Sequence, residues 1–263
     1  MRKVYEALNI YNANVEGIEL NEMSLKDYWE DDCESKDDFL PEGGYSKVIS
    51  TLFSHCRPTI KLGEKVIKID YSGEMVEVTT TKQRYLCKKV IASLPLGILQ
   101  AGKVDFAPAL PEEYQRNLKN IGNGVINKLY VSFNKPFWGN RKGYINFVVK
   151  SKAHTNKYPV AFIMSEKDRH ILCFFVSANA CREISQWTDE KIKEDLEHFL
   201  RKFKFMKEEV KIKEARMTRW HQDEHTMGSY SFVKIGQELS EVTKPLRKPL
   251  EGKVWLVGEH LHP

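Results

Sequence analysis

The chain is short of cysteine. Its five thiols, Cys33, Cys56, Cys87, Cys173 and Cys181, are odd in number, widely spaced and form no CxxC pair. That pattern excludes a disulfide scaffold and points to reduced thiols in the cytoplasm, with a nuclear or peroxisomal setting also open. Long apolar runs are missing and the N-terminus has no signal-like h-region, so neither a membrane span nor secretion is expected. Charge of one sign is not concentrated either. Forty-one Lys and Arg against 36 Asp and Glu leave a formal net charge of +5, and the basic residues are scattered rather than gathered into an aromatic-studded stripe. A nucleic-acid partner is therefore not expected. The closest histidine spacings, His221-x3-His225 and His260-x-His262, have no cysteine nearby, so no metal is expected. Internal repeats and low-complexity tracts are absent.

What remains is an ordinary globular mixture, 41% hydrophobic and 29% charged, in a 263-residue chain able to bury a sizeable core in one large or two small domains. Residues 1–20 read as a helical start anchored by Tyr5, Leu8, Ile10 and Tyr11, followed by an acidic stretch from Asp27 to Glu42. Gly43-Gly44 opens a helical pattern of Val48, Ile49, Leu52 and Phe53 that Pro58 closes. Val66–Ile69 and Met75–Val78 flank Ser72-Gly73 as a hairpin, with Tyr85–Cys87 as a third strand and Val90–Ser93 as a buried one. A helix is expected over Glu112–Ile121, and strands over 126–133, 144–149, 160–164 and 171–176. Thr188 caps an amphipathic helix with Asp189 and Glu190 in its first turn. Val254–Val257 reads as a last strand. Mixed strands and helices in this order predict an α/β (α+β) protein.

Within Ile126–Phe133, Leu129, Val131 and Phe133 alternate onto one face and leave Lys128, Tyr130 and Ser132 on the other. A lone lysine there is ordinarily a solvated one. The phrases around it change that. Gly43-Gly44-Tyr45-Ser46, Val66-Ile67-Lys68-Ile69, Ser93-Leu94-Pro95-Leu96-Gly97-Ile98-Leu99, Phe106-x-Pro108-x-Leu110-Pro111, Asn127-Lys128, Phe137-Trp138, Trp220, Gly228-Ser229-Tyr230-Ser231 and Gly258-Glu259-His260 occur in one order from residue 43 onward. In that order the chain resembles the flavin-containing amine oxidases, in particular the polyamine oxidases and the related lysine-specific histone demethylases.

The resemblance implies a function and a set of roles. Lys128 would be the active-site lysine that holds a water at the flavin and shuttles a proton. Val66 would offer its backbone to the adenine of FAD, and Gly258 and Glu259 would lie along the ribityl–pyrophosphate region. Trp220 would flank the flavin, and Tyr230 would wall the amine pocket. Ser229 stands where monoamine oxidases carry a flavin-tethering cysteine, which implies non-covalent FAD and a polyamine-like substrate. The implied reaction passes a hydride from the carbon beside the amine nitrogen to the flavin. It releases aldehyde, a smaller amine and, through dioxygen, hydrogen peroxide.

One family feature is absent. No strand–GxGxxG–helix unit occurs, and Gly122-Asn123-Gly124 is too short a match. Four segments are expected: 1–39 with the substrate domain, 40–105 and 226–263 as parts of an FAD-binding domain, and 106–225 as a mixed-sheet substrate domain backed by helices. The missing glycine turn implies weak FAD binding by this chain alone. It also keeps open a non-catalytic remnant that serves as a binding domain.

Overall fold

The computed structural model describes residues 17–24, 26, 41–56, 58–148, 157–164, 169–204 and 206–262. The helical start expected around Tyr5, Leu8, Ile10 and Tyr11, most of the acidic stretch, and Cys33 lie outside them. In chain order the elements are α1 (Gly44–Cys56), β1 (Val66–Asp70), β2 (Val76–Thr80), β3 (Arg84–Cys87), β4 (Val90–Ala92), α2 (Leu96–Gln100), β5 (Asp105–Ala107), α3 (Glu112–Asn120) and β6 (Ile121–Asn123). They continue with β7 (Ile126–Phe133), β8 (Tyr144–Asn146), β9 (Val160–Ile163), β10 (Ile171–Ser177), α4 (Ala178–Ile184), α5 (Asp189–Leu200), β11 (Ile212–Met217), β12 (Ser231–Val233), α6 (Leu239–Leu246) and β13 (Val254–Leu256).

Two larger sheets form. One runs β3-β2-β1-β5 and the other β11-β7-β10-β9-β8. The first contains the expected hairpin, antiparallel with a register shift between Val66 and Lys68, and takes β5 in parallel along Lys68–Asp70. The second is antiparallel throughout. Two short pairs, β12-β6 and β13-β4, complete the ladders.

Each large sheet has its own core. The five-stranded sheet buries Leu129, Val131, Leu172, Phe174 and Val176 beneath α4 and α5, whose Cys181, Ile184, Ile192, Leu196 and Leu200 meet them. Thr188 caps α5 as expected, its hydroxyl accepting from the Lys191 N–H at 3.2 Å. The second core gathers Ile69, Tyr71, Val76, Leu96, Ile98, Tyr114, Leu118, Val242, Leu246, Val254 and Leu256.

Helix α3 packs with the second core. It is amphipathic and turns Tyr114 and Leu118 toward α6, where the Tyr114 hydroxyl donates to the Lys248 carbonyl. Its residues thus join the second core, and the first core begins at Val125.

Seven elements carry no clear pattern in the sequence: α2, β5, β6, α4, β11, β12 and α6. β11 reads Ile-Lys-Glu-Ala-Arg-Met, and it is a strand because β7 supplies its ladder. Helix α1 forms where expected, yet no residue of it is buried. Among the described residues no helix is long and apolar enough to cross a membrane, and no three His, Cys, Asp or Glu side chains group as metal ligands.

Candidate active site

Strand β7 organises the site. Its alternation is as expected: Leu129 and Val131 are fully buried, whereas Lys128 and Tyr130 are exposed on the opposite face. Pairing then decides who stands beside them. Lys128 faces Phe175 of β10, which faces Val160 of β9. On the next rung Arg216, Tyr130, Cys173, Phe162 and Tyr144 follow one another across five strands. The open face of the sheet is therefore an aromatic surface with an ammonium on it.

Lys128 Nζ lies 5.9 Å from the Phe175 ring centroid, at the outer reach of a cation–π contact. Tyr144 packs against Phe162 at 5.1 Å and Phe175 at 6.3 Å. Burial pushes the Cys173 thiol up to about 11 against the opposing pull of the Lys128 charge, so at neutral pH it stays protonated and is no nucleophile. Phe175, Phe162, Tyr144 and Cys173 escaped the sequence reading. Alternation along 171–176 puts Cys173 and Phe175 on one face, but only the register sets them opposite Tyr130 and Lys128.

Three successive residues of β7 then tie in the other segments. At Ile126 the Ser229 hydroxyl accepts from the backbone N–H (2.9 Å) and donates to the carbonyl (2.7 Å), which holds the Ser229-Tyr230 step. At Asn127 the side-chain oxygen accepts from the Trp220 backbone N–H at 2.9 Å. At Lys128 the backbone N–H donates to the Thr218 hydroxyl at 2.9 Å. Beyond Tyr230, Ser231 donates through both its N–H (3.2 Å) and its hydroxyl (2.9 Å) to the Glu259 carboxylate.

Lys128, Trp220, Tyr230, Gly258 and Glu259 are thus gathered by a short chain of hydrogen bonds. Val66 is not in that group. It sits at the start of β1, where pairing with β5 has not yet begun, and is linked to the loop after Trp220 by the Lys65–Glu224 ion pair at 2.8 Å. Of the histidines with suggestive spacing, His221 is half-buried beside Asn127 and His225 is exposed.

Two glycines matter here. A Cβ on Gly97 would stand 2.5 Å from the Met227 carbonyl oxygen, so the Pro95-Leu96-Gly97 turn is what lets α2 press against the 226–228 backbone. Gly258 has φ +149°, and a Cβ there would meet the His260 ring at 2.8 Å.

His260 is only 2% exposed, and its Nε2 has no hydrogen-bond partner among the described residues. Burial lowers its pKa from the ordinary 6.5, partly opposed by Glu259. His221 is lowered too, by burial and by Arg182. From about one unit above the ordinary pKa of 6.5 upward both are neutral in either state and neither affects stability through protons. Below it the unfolded chain takes up protons first, so stability falls with pH until the folded histidines titrate. The urea midpoint should therefore drop between about pH 7.5 and 5.5, and His260→Phe should flatten that drop. An equal drop in the variant would assign the effect elsewhere.

Residues 2–263 match the family model of flavin containing amine oxidoreductases, and the chain belongs to that family. It is 27% identical over 266 residues to human lysine-specific histone demethylase 2, covering 97% of this chain and 32% of that one. Polyamine oxidase 2 of Arabidopsis thaliana is 25% identical over 237 residues, 86% of this chain and 46% of the relative. Polyamine oxidase 1 of Zea mays is 29% identical over 206 residues, 77% and 41% respectively. A putrescine oxidase structure with putrescine bound shares the fold with a TM-score of 0.67 at 18% identity, covering 83% of this chain and 48% of that one. The chain thus spans about a third to a half of the length of these relatives.

Proposed function

We propose that this chain carries the amine-side part of an FAD-dependent amine oxidase acting on a polyamine-like substrate, with aldehyde, a smaller amine and hydrogen peroxide as products. The observation that carries the reading is an exposed lysine on an aromatic sheet face, tied through adjacent residues to Trp220 and Tyr230, in a chain that matches the family almost end to end.

The residues suit a planar aromatic cofactor. Trp220 leaves its indole 47% exposed, and the Glu259 carboxylate is exposed yet held by Ser231. Gly258 lets the backbone beside that carboxylate pass close to the His260 ring, and the run of β1 at Val66 not paired with β5 would offer a strand backbone to an adenine edge. Bound flavin would supply the hydride acceptor and the route to dioxygen. Val66, Gly258, Glu259 and Trp220 would hold it. The Ser229 hydroxyl, already engaged with Ile126, supports non-covalent binding.

On the substrate side, Tyr230 and the sheet aromatics would bind the amine by apolar packing and, where it is charged, by cation–π attraction. Lys128 would hold a water and move a proton between it and solvent. Expulsion of bulk water by the aromatic face would strengthen each of these electrostatic contacts. The scattered thiols, of which the four among the described residues are free, favour a reducing compartment, the cytoplasm.

A second reading, oxidation of a methylated peptide lysine, is favoured by the human demethylase relative aligned over 97% of this chain. A flavin absorption spectrum of the purified protein, followed by peroxide release with spermine, spermidine, their acetylated forms, benzylamine and a methylated histone-tail peptide, decides among them. Turnover of the polyamines is the expected result. Turnover of the peptide alone would replace it by the second reading. No flavin and no peroxide would leave a non-catalytic binding domain.

A further inference from the structure

Asn127 occupies a position that alternation assigns to the core. It shares the buried face of β7 with Leu129, Val131 and Phe133 and is 1% exposed. An aliphatic side chain would satisfy that environment at no polar cost, whereas a buried amide is tolerated only when its hydrogen-bonding positions are filled. Here they are. The oxygen accepts from the Trp220 N–H at 2.9 Å and the Thr218 hydroxyl at 3.3 Å. The nitrogen donates toward Cys181 Sγ at 3.1 Å and Ser185 Oγ at 3.2 Å, with His221 Nδ1 at 3.5 Å. One side chain thus joins β7, helix α4 and the loop that follows β11.

The same loop is clamped beside it. Thr218 exchanges bonds with Lys128, accepting from its N–H on the hydroxyl and donating its own N–H to the Lys128 carbonyl at 3.0 Å. The Arg219 guanidinium reaches the carbonyls of Trp187 (2.9 Å), Met217 (3.2 Å) and Ser185 (3.4 Å) and the Asp189 carboxylate (2.8 Å). Residues 218–220 are therefore fixed through their polar groups while the indole that they carry remains 47% exposed. A large aromatic held rigidly at its backbone and left open at its ring is built to meet something planar or apolar.

We propose that Asn127 is the positioning residue of the site: it sets the Trp220 indole relative to Lys128, one residue along the same strand. The purpose of that pair rests on the amine-oxidase reading; the geometric claim does not. Asn127→Ala would strip the Trp220 N–H of its buried acceptor, and the loop would move to recover a partner.

Incorporation of 5-fluorotryptophan into the full chain gives one ¹⁹F resonance for each of its five tryptophans, and Trp220→Phe assigns the relevant one. In Asn127→Ala the Trp220 resonance should shift toward its urea-unfolded position while the others stay. Asn127→Asp, which keeps an acceptor for the Trp220 N–H, should restore it. Ser185→Ala, which removes only a partner of the amide nitrogen, should leave it in place. A Trp220 signal unmoved in folded Asn127→Ala overturns the proposal, and so does one moved equally by Ser185→Ala. If Asn127→Ala fails to fold, Thr218→Val, which cuts the bridge from Lys128 to Asn127, takes its place: a shifted Trp220 resonance supports the proposal and an unshifted one overturns it. These measurements need neither flavin nor amine. A protein without oxidase activity but with this ¹⁹F pattern would therefore sink the enzymatic reading alone.

Discussion

On the amine-oxidase reading, Lys128→Met in the assembled, flavin-loaded enzyme should slow flavin reduction by the amine, or its reoxidation, by about a hundredfold or more, the usual effect of deleting a positioned proton-transfer group. The fold should hardly register the change. Lys128 is exposed, its ammonium forms no ion pair among the described residues, and its contact with Phe175 lies at 5.9 Å. Methionine keeps most of the stem, so stability should move by less than about 1.5 kcal/mol. Stopped-flow absorbance of both half-reactions, beside a urea titration, measures the two effects separately. Unchanged half-reactions would return Lys128 to the ordinary status of a solvated lysine.

Phe174 and Phe175 should respond to truncation in opposite ways, although they are neighbours. Phe174 is fully buried, stacked on Phe147 at 5.5 Å and edge-on to Tyr158 at 6.0 Å. Phe174→Ala should cost about 3–5 kcal/mol, the range for aromatic truncation in a core. Set against a typical total stability of about 5–15 kcal/mol, that leaves the domain marginal or unfolded. Phe175 lies on the open face beside Lys128. Phe175→Ala should retain the fold and its urea midpoint nearly intact while raising the KM for the amine. Denaturation curves for both variants check the first half, and steady-state kinetics of the second variant checks the other. A KM unchanged in Phe175→Ala would remove the sheet aromatics from the substrate surface.

Much of this was legible from residues alone because it depends on local physics. The period-2 pattern of Ile126–Phe133 yielded β7 with both ends and both faces correct. Thr188 and the acidic first turn yielded α5, and Ser72-Gly73 between two β-branched runs yielded the first hairpin. Family phrases in order carry the amine-oxidase resemblance and, with it, the roles it implies for Lys128, Trp220, Tyr230 and Glu259.

What sequence could not supply is everything that pairing across distance decides. β11 is a strand only because β7 lends it a ladder, and α3 belongs to the second core only because α6 lies there to receive Tyr114 and Leu118. Phe175, Phe162 and Tyr144 join Lys128 through register, a quantity set by two strands together. Asn127 is a polar residue at an apolar position of the alternation. Its partners, however, lie 54 to 94 residues further on, in Cys181, Ser185, Thr218, Trp220 and His221. The chain alone determined which faces are buried and, through the family resemblance, which residues are proposed to carry chemistry. The tertiary structure decided which of them meet, because contacts between distant segments depend on the closure of loops that no local pattern encodes.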